Sequence, residues 1–154
     1  AELVAKARGL FAVCGLDVLQ GAADLKQVGL GSTIFAVKPG DGSAREQAAS
    51  CQKVLGGWAN MAVEYATKRY RSNLINWGML PFIVDPSLAD TLKVGDWLVV
   101  PNVRSAVQNA DPSFIGYVTS EDGKAQQISL ALKELTSDER KIILDGCLIN
   151  FYNS

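Results

Sequence analysis

The chain has 154 residues, 48% of them hydrophobic and 20% charged, and a formal net charge of −1. That length gives one domain a true core, and that composition excludes a disordered chain. The near-zero charge gives no electrostatic case for nucleic acid or an anionic membrane surface. Histidine is absent. A Ser-His-Asp triad, a Cys-His dyad and any His-ligated metal within these residues are therefore excluded. Cys14, Cys51 and Cys147 are odd in number and widely spaced, which suggests neither a disulfide framework nor a zinc site.

No apolar run is long enough to cross a bilayer, and the start has neither an initiator Met nor the layout of a secretory signal. A cytoplasmic chain is expected, either a fragment of something larger or a trimmed product. The whole of 1–154 reads as one unit: residues 1–31 form a helical N-terminal connection and 32–154 the core.

In chain order, Leu3, Val4, Ala7, Leu10 and Phe11 recur at helical spacing, so a helix is expected over about 2–13, with Gly15 as its stop. Residues 15–31 read as a connection with one short helix. Ser32–Val37 is an apolar strand, and a helix is expected from Ser43 to about Val54. Asn60–Ala66 alternates as a strand does. Thr67–Trp77 reads as a helix closed by Gly78, with Pro81 beyond.

Leu80–Val84 is a short strand, and Asp85-Pro86-Ser87 is a turn followed by at most one helical turn. After Val94-Gly95-Asp96, the run Trp97–Val100 reads as a buried strand. Residues 102–112 are polar and read as loop. Ser113–Thr119 and Ala125–Leu132 are strands joined at Glu121-Asp122-Gly123-Lys124, where Asp-Gly signals a hairpin. Thr136-Ser137-Asp138-Glu139 is a capping box opening a helix that Gly146 ends. Leu148–Tyr152 is apolar enough to dock on the body. Mixed helices and strands give an α/β class, with antiparallel pairing at least near the C-terminus.

The stretch with most chemistry is Gly40-Asp41-Gly42-Ser43-Ala44-Arg45-Glu46, a glycine-bearing loop between a strand and a helix. First-turn N–H groups lack helical partners and the helix dipole is positive there, so such a loop suits an anion. The plain reading of Ser43 is a cap: Ser43-x-x-Glu46 is itself a capping box. Arg45 is then a surface charge and the glycines a tight turn. The sharper reading keeps the cap and adds a serine whose alkoxide is stabilised beside an arginine, which matters only in a site closed to water.

Arg69–Leu74 is read as a helix start whose Ser72 and Asn73 bond backbone. Trp58, Trp77 and Trp97 are read as core rather than a stacking patch. Asp122-Gly123 lacks the alternating carboxylates of a metal loop.

Gly40–Glu46 resembles the GxGSSRE loop of the aconitase family. Tyr70-Arg71-Ser72-Asn73-Leu74 through Gly78-Met79-Leu80-Pro81 is similar to that family's RSNLxxxGxLP segment, and Asp145–Phe151 to its terminal GGILNY stretch, in the same order. The resemblance implies the family's C-terminal swivel domain, a three-layer β/β/α unit with a mixed sheet. In that family the domain is fused to larger domains or made as a separate small subunit, as in isopropylmalate isomerase.

The resemblance further implies a hydro-lyase that dehydrates and rehydrates a small hydroxy-carboxylic acid on a [4Fe–4S] cluster. The cluster would be bound by domains or a large subunit outside this chain, so its three cysteines are not expected as ligands. Carried over by position, Ser43 is the catalytic base, Arg45 binds a substrate carboxylate, and Gly42 lets the backbone approach substrate. Ala44 stands where the family pattern has a second, substrate-binding serine; a buried acceptor left unpaired there costs ~1–3 kcal/mol. Two other roles compete: a swivel module that has lost its chemistry, and a free-standing small subunit.

Overall fold

The computed structural model describes residues 2–13, 28–120 and 123–154. The expected connection therefore falls mostly outside the described residues, as do Cys14, Gly15, Glu121 and Asp122. The first helix, α1, spans Glu2–Val13 as its periodicity requires, and buries Val4, Ala7 and Phe11. The Lys6 ammonium lies 5.6 Å above the Trp97 ring, which ties α1 to the far edge of the sheet.

Three parallel strands follow, β1 Ser32–Ala36, β2 Gly57–Ala62 and β3 Leu80–Val84, linked by α2 Arg45–Val54 and α3 Lys68–Asn76. The strand expected at Asn60–Ala66 thus sits earlier, starting within the Gly56-Gly57 pair read as a break. Glycine is required at 57 because a Cβ there would lie 2.7 Å from the Gln52 carbonyl oxygen, where α2 crosses the strand. A 3-10 turn at Pro86–Asp90 leads to β4 Trp97–Val99, α4 Val103–Asn109, and the hairpin strands β5 Ser113–Thr119 and β6 Ala125–Ala131. The chain closes with α5 Ser137–Asp145 and α6 Leu148–Asn153.

All six strands form one mixed sheet in the order β1-β2-β3-β6-β5-β4. Its parallel half and its antiparallel half are joined edge to edge by only two pairs, Ile83↔Ala131 and Val84↔Leu130. One face carries the main core, where Phe82 meets Phe114 edge to face at 5.7 Å with Met61 and Leu130 beside them. The other face of the parallel half is covered by α2 and α3 through Ala49, Tyr70 and Leu74, with Met79 in the same cluster.

Three local expectations are corrected. Residues 103–109 are helical, not loop, because Val103, Ala106 and Val107 share one face and pack on the core. Their i, i+3, i+4 spacing covers too short a run to stand out among polar neighbours. β4 is half-buried rather than buried, since it is the sheet's edge and pairs only with β5. α6 docks less than its composition suggests: Ile149 and Tyr152 are exposed, although Asn150 Nδ2 donates to the Asp145 carbonyl at 2.8 Å. The capping box of α5 forms as read, with Glu139 N–H donating to Thr136 Oγ1 and Thr136 N–H to Glu139 Oε2.

Two contacts hold the helical layer. The Tyr70 hydroxyl, buried on the β2 side of α3, accepts from Asn60 Nδ2 at 3.0 Å and Gln52 Nε2 at 2.8 Å. Gly78, at φ +67°, lies so close to Gly146 that a Cβ would sit 1.9 Å from its carbonyl oxygen.

Tyr70→Phe should lower stability by about 1–3 kcal/mol, because it strands two amide donors beside an Asn60 Oδ1 that already has no partner among the described residues. Gly78→Ala should cost at least ~2 kcal/mol from backbone strain plus overlap. Urea midpoints check both; a Gly78→Ala protein as stable as the parent contradicts the close approach.

Candidate functional site

The loops after β1 and β2 both leave the C-terminal edge of the parallel strands, the edge where α/β sheets characteristically bind ligands. They are zipped together before either helix begins. Glu64 N–H donates to the Val37 carbonyl at 3.1 Å and Ala66 N–H to the Pro39 carbonyl at 2.9 Å. An exposed Lys38–Glu64 ion pair at 2.6 Å lies on the same seam. Gly40 comes next, at φ +96°, with its Cα against the Tyr70 ring; a Cβ there would meet Tyr70 at 2.5 Å. Glycine is obligatory at 40 on both counts.

From Gly40 the chain bows outward through Asp41, Gly42, Ser43 and Ala44 and returns at Arg45, the first residue of α2. Arg45 Nε donates back to the Gly40 carbonyl at 3.1 Å, so the bow is closed by a single side chain. The guanidinium makes no other hydrogen bond among the described residues, which leaves its two Nη groups to meet a carboxylate edge-on. Ser43 is exposed and makes no hydrogen bond among the described residues. At Gly42 an added Cβ meets nothing within 4 Å and φ is not left-handed, so no contact within the described chain demands glycine there.

The expected Ser43–Glu46 capping box is absent. α2 begins two residues later than read, with Ala44 at its N-cap and no side-chain cap. Glu46 is drawn away to α3, where its carboxylate accepts from Trp77 Nε1 at 2.7 Å and from Asn73 Nδ2. Those two bonds outcompete the local one because both donors come from a neighbouring helix already packed in place. The expectation that Asn73 bonds backbone fails for the same reason, whereas Ser72 Oγ does donate to the Lys68 carbonyl at 3.1 Å. With no side chain capping it, the amino end of α2 opens toward the bow.

The three sequence segments do converge. The first meets the second through Gly40–Tyr70 and Glu46–Asn73, and the second meets the third through Gly78 and Gly146. Arg71 of the second segment is structural: its Nη2 donates to the Lys133 carbonyl at 2.5 Å and its Nη1 pairs with Glu139 at 3.6 Å. Burial pushes the Tyr65 hydroxyl far above the ordinary phenol range while it donates to the Phe82 carbonyl at 3.2 Å, so it is no base at neutral pH.

The tryptophans form no stacking patch, but neither are they the core expected of them: Trp58 is exposed and Trp77 and Trp97 are half-buried. Trp58 and Trp97 lie on strands of opposite halves of the sheet, and Trp77 is held by Glu46. Partial burial pulls the Lys53 amine below its ordinary range, opposed by nearby Cys147, and its Nζ lies 5.1 Å above Trp58. Among the described residues no group of three or more Cys, Asp or Glu could hold a metal ion. Cys51 is exposed on α2 and Cys147 precedes α6, and both thiols are free.

Sequence reasoning missed Thr67, which caps α3 by accepting from Tyr70 N–H at 3.2 Å and also donates to the Gly40 carbonyl at 3.2 Å. A threonine before a helical run signals the cap; nothing local signals its bond to a residue 27 positions earlier.

Residues 13–87 match the aconitase C-terminal domain family. The chain is 28% identical over 137 residues to aconitate hydratase A of Rickettsia bellii (strain RML369-C). That match covers 87% of this chain, which spans only 15% of the relative's length. Its fold matches the crystal structure of 3-isopropylmalate dehydratase (leuD) of Methanocaldococcus jannaschii with a TM-score of 0.54 and 28% identity, over 83% of this chain and 66% of that one. By sequence over residues 13–87 and by fold, the chain is similar to the aconitase C-terminal domain family.

Proposed function

We propose that this chain is the swivel part of an aconitase-like hydro-lyase and supplies half of a composite active site. The observation that carries this reading is the bow itself: Ser43 and the Nη edge of Arg45 project from a loop whose own hydrogen bonds are all made behind it. In this role the Ser43 oxygen takes a proton from, or returns it to, the carbon beside a substrate carboxylate. Arg45 binds that carboxylate and favours the ionised serine. The uncapped first turn of α2 adds N–H groups of the right polarity, and the open space around Gly42 lets substrate come close to backbone.

Exposure explains why the site must be shared. A hydroxyl in water keeps its very high ordinary pKa, and a nearby cation lowers it little at high dielectric. Only a covering surface that expels water makes the Arg45 field effective. That surface, and the [4Fe–4S] cluster that the family implies, belong to larger domains or a large subunit. The chain would then work as one domain in the cytoplasm, inactive in isolation, on a small hydroxy acid.

A second reading has one observation in its favour. Ala44 at the α2 N-cap has no hydroxyl where the family pattern has a serine, as in a swivel module that no longer catalyses. Iron and sulfide analysis of the assembled protein separates the two, because a stoichiometric cluster goes with catalysis.

In the assembled protein, Ser43→Ala should lower kcat for aconitate or 3-isopropylmalate by about 10²–10⁴. Since Ser43 caps nothing, the same change should leave stability within about 0.5 kcal/mol. Arg45→Lys should raise KM roughly tenfold or more. Parallel kinetics and thermal melts check all three. Near-normal turnover by both variants rejects the composite site, and a stability loss at Ser43→Ala beyond 1 kcal/mol points back to a cap.

A further inference from the structure

We infer that Thr67 is a positioning residue for Arg45, acting through the Gly40 carbonyl; this rests on the composite-site reading above. A backbone carbonyl oxygen has two lone pairs. At Gly40 both are taken by side chains: Arg45 Nε at 3.1 Å and Thr67 Oγ1 at 3.2 Å. The first closes the bow and the second fixes the oxygen to which it closes. Gly40 cannot set that direction alone, because at φ +96° glycine has the widest choice of conformations.

The neighbouring seam does not do it either. Its backbone bonds end at Pro39, whose carbonyl is held by Ala66 N–H. Thr67 is the next residue on the opposing side of that seam and continues it with a side chain instead of an amide.

The same hydroxyl accepts from Tyr70 N–H at 3.2 Å, so its proton is free to point at Gly40. One group thus starts α3 and aims the loop that starts α2. Because Nε is spent on Gly40, the guanidinium plane can turn only about that bond. The placement of its Nη edge then follows the orientation of the carbonyl. Loss of the Thr67 donor should therefore loosen the bow, and with it the approach of Arg45 to a carboxylate, while the Ser43 hydroxyl itself is kept.

Two functions share this hydroxyl, and three substitutions separate them. Thr67→Ser keeps both. Thr67→Asp keeps an acceptor for the α3 cap but has no proton for Gly40 at neutral pH. Thr67→Ala loses both, and as the loss of a single half-buried cap it leaves the fold intact should the charged variant fail to fold.

In the assembled protein, Thr67→Asp and Thr67→Ala should speed amide exchange at 41–45 about tenfold or more, with α3 protection unchanged in Thr67→Asp. Each should raise KM for the carboxylate substrate about tenfold with kcat within about threefold, while Thr67→Ser matches the parent. Unchanged exchange at 41–45, or KM within twofold of the parent, in either variant overturns the inference while Ser43→Ala and Arg45→Lys remain impaired. If those two variants keep full turnover, the composite site has failed and the anchor with it.

Discussion

Two donors on one carbonyl oxygen set the shape of the candidate site. Gly40 accepts from Arg45 and from Thr67, and through it the loop after β1 is bound to the helix after β2. A net contribution of about 1 kcal/mol is typical for one such bond, so the arrangement adds little to global stability. Its importance is geometric. It confines a four-residue bow, Asp41–Ala44, between fixed ends only five positions apart. Short closure limits the conformations available to Ser43 even though that residue makes no hydrogen bond among the described residues.

The rest of the parallel half supports this closure. Tyr70 presses on Gly40 from below and is itself held by Gln52 of α2 and Asn60 of β2. Glu46 reaches across to Asn73 and Trp77 and locks the two helices side by side. Behind them, Gly78 lets the chain run against Gly146, which brings the C-terminal helices to the same helical layer. Each contact joins residues distant in sequence, and each leaves the outer face of the bow open. A loop built this way is held at its base and open at its mouth, which suits the proposed half of a shared pocket.

The antiparallel half has a different part. Its strands close the main core with Phe82 and Phe114 and contribute no side chain to the bow. The two halves meet over only two residue pairs between β3 and β6. Stability there comes from apolar burial across the joint rather than from the ladder itself.

Periodicity and turn chemistry in the sequence were enough for α1, β3, the β5–β6 pair, the Thr136 capping box and the mixed class, because those signals are local. The glycine loop, with its serine and arginine, was likewise visible as a candidate. What could not be read was set by partners far along the chain. Glu46 was assigned to Ser43 three residues away, yet Asn73 and Trp77 take it, so α2 starts later and Ser43 is left unbound. α4 stayed hidden because three apolar residues make a helix only when a core receives them. Thr67 was read only as the first residue of a helix, and only the folded pairing of two loops turned its hydroxyl toward Gly40. Composition and local pattern decide which residues can do chemistry; the tertiary structure decides which of them keep their polar groups free to do it, since every buried donor and acceptor must first find its own partner.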